Sequence, residues 1–301
     1  MYNIKIHQSV LVLLLGLFIY SCSSPEQSIS NEEQEIDVEI DSQLAEDFNQ
    51  AKQVFYSLPS PIETAMLMKR AGAKYDENLL NSITNVPNYN TTLNKALNLG
   101  IYSADLSFVS MFDQSQASVK YLSATKRLAD DLGILNAVDE SYIKRMENNI
   151  NSRDSLMEII SETFMNSNAF LKENERPELA AIVLSGGWVE GLYIATQIAR
   201  NTTDNKELKD RIIDQRLSLT TLLSLLDKHK GDANIQVVIS DFERIQKVYD
   251  NIDVNTSEIK AVVNEETNVT TLESTTTTVF SDDNFIKLSD LVSEIRNNYT
   301  K

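Results

Sequence analysis

Two acids sit in apolar company: Asp105 within IYSADLSF and Glu190 within GGWVEGLY. At helical spacing Asp105 neighbours Ile101, Tyr102, Phe108 and Val109, while Glu190 shares a face with Tyr193 and Gln197. Burying a carboxylate is costly unless it is paired or hydrogen-bonded, so each acid must either have a partner or face a polar cavity. The first case is a satisfied core acid that fixes helix register. The second is a small ligand pocket walled by Tyr102, Trp188 and Tyr193, in which Asp105, Glu190 and Gln197 orient a bound molecule or serve a carboxylate-dependent hydrolase. Burial separates the two: acids bonded to their neighbours are structural, whereas acids in an open cleft with raised proton affinity are candidates for chemistry.

Other chemistry is sparsely represented. The chain has two histidines, His7 and His229, and His229 in DKHKG suits the C-terminus of a helix. There is no pair of histidines at zinc-ligand spacing, no phosphate-binding glycine loop, no EF-hand loop and no nucleophile elbow. The pattern S-x-x-K occurs at Ser123/Lys126, Ser141/Lys144 and Ser257/Lys260, without the companion motifs of penicillin-recognising enzymes. No catalytic residue, metal ligand or cofactor is therefore nominated from motifs, and among 44 acids a carboxylate pair can always be found.

The lone cysteine is more informative. Cys22 follows an apolar run, Val10 to Tyr20, of signal-peptide length, and the preceding Ile19, Tyr20 and Ser21 fit a bacterial lipoprotein cleavage pattern. Residues 1–21 read as a removable signal and Cys22 as the acylated first residue of the mature chain, anchored by more than one acyl group. No disulfide is then possible, so the domain depends on core packing. Removing residues 1–21 takes away Lys5 and no acid, which moves the formal charge from −17 to −18. Such a field repels phosphate backbones, so nucleic acid is excluded as a partner class.

The elements that would carry these residues are helical. Residues 22–41, SSPEQSISNEEQEIDVEID after the cysteine, read as a disordered acidic tether. Residues 42–301 read as one domain, an all-α bundle of about 9–10 helices, with no fixed-period repeat. Apolar periodicity places helices over residues 42–55, 61–71, 91–112, 115–132, from 139, 152–173, 177–200, 204–229, 233–253 and 283–298. The segment 259–280 is rich in β-branched residues and is either a small β-hairpin or a flexible Thr-rich loop. Gly187, Gly191, Ala195 and Ala199, with Ala96, Gly100 and Ala104, form small-residue ridges that suit close helix packing at the domain centre. A membrane span over 179–199 is disfavoured by Glu190 and Gln197 in its middle.

SLPSPIETAMLMKRAGAKYDENLLN, KALNLGIYSADLSF, RLADDLGI and GGWVEGLY together resemble a group of Bacteroidota helical lipoproteins to which no activity is assigned. The likeness spans most of the mature chain and implies an outer-membrane setting, facing the periplasm or the cell surface, and a helical fold. It carries no catalytic residue. The expected function is a membrane-anchored envelope lipoprotein, a non-enzymatic module that binds an envelope protein or a small ligand. The alternatives are the hydrolase around Asp105 and Glu190 and a structural scaffold of an envelope assembly. Cys22→Ala is expected to abolish palmitate labelling and to release the protein from the membrane fraction; unchanged labelling would contradict the acylation.

Overall fold

The computed structural model describes residues 74–134, 140–152, 154–156, 158–160, 162–163, 176–202, 206–256, 260–264, 269–273 and 276–301. The signal segment, Cys22, the tether and the helices expected before residue 74 lie outside them. The described residues belong to one unit of the chain, Ser42–Lys301, and its fold is an all-α, multi-helix bundle.

A strap opens the described chain. Residues 74–89 carry two short 3-10 turns, Glu77–Leu79 and Ile83–Asn88, each started by a side chain that accepts a backbone N–H: Asp76 from Asn78, and Ser82 from Thr84. Helix α1 (Thr92–Met111) follows, capped by the Thr91 hydroxyl, which accepts from the Asn94 amide. Helix α2 (Ser115–Asp131) ends where the sequence places its stop. Gly133 takes a left-handed φ of 69°, and Ile134 N–H returns to the Ala129 carbonyl, closing the last turn. Helix α3 is Glu140–Asn148.

Helix α4 (Pro177–Asn201) begins on a proline, whose missing N–H costs nothing in a first turn. Helices α5 (Lys206–Asp227) and α6 (Ala233–Tyr249) form the next pair, with the Asp232 carboxylate capping α6. Buried Tyr249 donates its hydroxyl proton to the Ile212 carbonyl and ties the two together.

Four strands then interrupt the helices: β1 (Asp253–Thr256), β2 (Lys260–Asn264), β3 (Val269–Glu273) and β4 (Thr276–Val279). β1 pairs antiparallel with β4 and β2 with β3, so the paired form of the Thr-rich segment is the one adopted. The register differs by one residue between the two ladders. Helix α7 (Asp282–Tyr299) closes the chain, with Ser281 at its N-cap and two aspartates in its first turn, where the helix dipole favours them.

Helices α1 and α4 are buried nearly all round and pack on one another, with α2, α5 and α7 around them. By length and composition α4 could cross a membrane, but most of its apolar window is buried inside the bundle. The contact between α1 and α4 is backbone against backbone. A Cβ at Gly100 would overlap the Val183 carbonyl oxygen, and one at Gly186 would overlap the Leu97 carbonyl oxygen.

The ridge read from the sequence is therefore half of the true contact. Gly187 takes part, since a Cβ there would lie a tight 3.3 Å from the Gly100 carbonyl oxygen, whereas Gly191 has nothing within 4 Å and Gly186, outside the ridge, is the tighter of the α4 glycines. Gly100→Ala and Gly186→Ala are each expected to lower stability by ~1–3 kcal/mol or more through overpacking. Gly191→Ala should raise it by up to about 1 kcal/mol, since alanine is the better helix former. Chemical denaturation of the three variants checks the ranking.

Candidate functional site

One helical turn beyond the glycine contact, α1 presents Asp105 and α4 presents Glu190, and both are fully buried. The third charged member comes from α7. Arg296 Nε donates to Glu190 Oε2 at 2.8 Å and Nη2 donates to Glu190 Oε1 at 2.9 Å, a bidentate pair. The same Nη2 reaches the Leu79 carbonyl on the strap at 3.3 Å, and the guanidinium carbon lies 4.7 Å from the centroid of the Tyr193 ring. Arg296 is itself 8 % exposed, so the ion pair is sealed from solvent.

Asp105 is bonded on one side only. Its Oδ2 accepts the Asn81 amide N–H at 3.1 Å, while Oδ1 faces no donor among the described residues. Burial, followed by the negative charge and hydrogen bonding of Glu190, pushes the Asp105 carboxyl well above the usual aspartate range; Arg296 and the Asn81 N–H pull the other way and are outweighed. The balance of these effects favours the protonated form of Asp105. Protonated, it can donate to Glu190, which supplies the bond its oxygen otherwise lacks.

The strap completes the enclosure. Asn81, 1 % exposed, donates its side-chain amide to the Tyr89 hydroxyl and to Asn98 Oδ1, both at 3.0 Å. Its carbonyl accepts from Tyr121 at 3.2 Å, and the Ser82 carbonyl accepts from Tyr102 at 2.7 Å. Asn98 in turn donates to the Tyr299 carbonyl at the end of α7. Burial raises the hydroxyl pKa of Tyr89, Tyr102 and Tyr121, so these remain donors across the ordinary pH range.

Of the residues singled out from the sequence, Tyr102, Asp105, Glu190 and Tyr193 meet in this cluster. Two do not. Trp188, also fully buried, packs against Phe242 on α6 with ring centroids 5.3 Å apart, because two residues along a helix from Glu190 is a different face. Gln197 donates to Ser289 and Ser293 on α7, in the seam between α4 and α7 that Arg200 and Asp290 continue outward. Among the described residues, Trp188 therefore packs away from Tyr102 and Tyr193 and does not join them in one wall. No group of three or more His, Cys, Asp or Glu able to hold a metal occurs among the described residues.

The residues that sequence reasoning missed are Arg296, Asn81 and Asn98. Arg296 had a legible signal, since it falls on the α7 stripe of Leu288, Val292, Ile295 and Tyr299, where a cation requires a buried partner. The asparagines had none. They serve a strap with little periodicity of its own.

Comparison with known proteins yields no matching family model, no matching curated protein and no matching solved structure.

The arrangement can hold a proton and three helices, but it offers a solvent-borne substrate no approach to either carboxyl. Glu190→Gln or Arg296→Met leaves a buried partner uncompensated and should cost ~3–5 kcal/mol. Asp105→Asn should do the opposite at pH 7, because its amide keeps the Asn81 contact and supplies a permanent donor to Glu190. The folded state holds the Asp105 proton that the unfolded chain releases above its ordinary value. Wild-type stability should therefore fall relative to Asp105→Asn as pH rises from about 4, by up to ~1.4 kcal/mol per unit, and level off above the raised folded value. Urea denaturation of both proteins across pH checks the sign.

Proposed function

We propose that the chain is a membrane-anchored envelope lipoprotein whose helical domain is a non-enzymatic binding or interaction module, of the Bacteroidota kind its segments resemble. The observation that carries the reading against a hydrolase is the state of the two acids. Glu190 is bidentately bonded to Arg296, and Asp105 is sealed beneath the strap, where burial raises its proton affinity. A general acid must reach the proton-accepting atom of its substrate within hydrogen-bond distance. Here that distance is occupied by protein.

Acylation at Cys22 supplies the membrane attachment in this reading. The acidic surface favours cationic or neutral partners in the envelope and disfavours nucleic acid.

The test uses intact cells expressing wild type or Asp105→Asn. Chemical crosslinking is expected to trap the same discrete, Cys22-dependent complex with both proteins. A hydrolytic activity present in the wild type and lost in an Asp105→Asn protein of equal or higher melting temperature would overturn the reading in favour of catalysis.

A further inference from the structure

We propose that the strap, residues 74–89, is a proton-dependent latch: it stays closed over the Asp105–Glu190–Arg296 cluster while that cluster holds one proton, and lifts locally when the proton leaves.

The geometry limits how the cluster can respond to a lost proton. With both acids ionised, two fully buried carboxylates share one guanidinium, and Asp105 Oδ1 has no donor among the described residues. Hydration relieves this, and water must enter from some side. It cannot enter by parting α1 from α4, whose backbones meet at Gly100 and Gly186 and whose separation would expose the most deeply buried apolar surface of the bundle. Among the described residues the strap is the cover that is not built from α-helix. It is held down through three consecutive stretches of its backbone: the Leu79 carbonyl by Arg296, the Asn81 N–H and carbonyl by Asp105 and Tyr121, and the Ser82 carbonyl by Tyr102. Two of these four bonds end on the charged cluster itself. Opening a segment of this length exposes few large apolar side chains, chiefly Leu80, Val86 and Tyr89.

The groups facing the cluster leave Asp105 as the one that exchanges its proton. The strap contributes Tyr75 and Tyr89, with Asp76 and Glu77 at its exposed start; α1 contributes Tyr102, α2 Tyr121, α4 Glu190 and Tyr193, and α7 Arg296. Burial pushes all five tyrosines above their ordinary value. Burial opposes the Arg296 charge, but Glu190, bonded to it, holds it firmly protonated. If the closed strap binds one more proton than the open one, the equilibrium constant for opening must rise about tenfold per pH unit between the open and closed values for Asp105.

Hydrogen exchange on the full chain tests this at the amides of Leu80, Asn81 and Asn85. After correction for intrinsic base catalysis, wild-type strap protection should fall about tenfold per unit as pH rises above the ordinary aspartate value of about 4 and up to the raised closed-strap value, from a level below that of amides in the middle of α4. In Asp105→Asn it should be independent of pH. Strap amides that exchange no faster than the α4 core would overturn the proposal, since the strap would then open only with the whole domain. So would pH-independent strap protection in the wild type, a result that stands whether or not the variant folds, and so would an unchanged slope in Asp105→Asn.

Discussion

Two carboxyl groups and one guanidinium lie together in the buried centre of the bundle, and the charges balance only if one acid keeps its proton. That requirement governs the centre of the molecule. Glu190 takes the Arg296 fork, so Asp105 is the acid left with an oxygen that needs to donate rather than accept. Four elements are tied to the outcome: α1 and α4 through the acids, α7 through Arg296, and the strap through Leu79 and Asn81. A buried ion pair is often no more stabilising than a well-packed apolar pair, while removing one member is severe. Its contribution here is specificity of register, because no other rotation of α4 or α7 would bring Glu190 and Arg296 together.

The glycines make the acid pair possible. Close approach of α1 and α4 at Gly100 and Gly186 leaves no room for a layer of side chains between the helices, and one turn farther on Asp105 and Glu190 emerge near enough for Glu190 to raise the proton affinity of Asp105. Larger residues at the crossing would separate the acids and admit water, and the proton affinity of Asp105 would relax towards its ordinary value. Packing and electrostatics are thus consequences of the same small side chains.

Much of this arrangement was legible in the sequence where the signals are local. Helix limits at Thr91, Gly133 and Pro177 follow from capping, left-handed glycine and proline chemistry, and the structure places them within a residue or two of the expected positions. The two acids stood out because a charge on an apolar helix face is expensive wherever the helix packs. What the sequence did not disclose is non-local. Trp188 and Gln197 share a segment with Glu190 but look towards α6 and α7, and only the packing of those helices assigns their neighbours. Arg296 is 106 residues from Glu190. The strap has too few apolar residues to show a period, so Asn81, which links Asp105, Tyr89, Asn98 and Tyr121, carried no sequence signal of its role.

The central claim is that a carboxylic acid, not a carboxylate, sits between α1 and α4 at neutral pH. Infrared spectroscopy reads it directly, because the C=O stretch of a protonated carboxyl is resolved from carboxylate and amide bands. At pH 7, where the exposed acids are ionised, the account predicts one such band, shifted by deuterium exchange and missing from Asp105→Asn. A wild-type spectrum at pH 7 without a protonated-carboxyl band would contradict it.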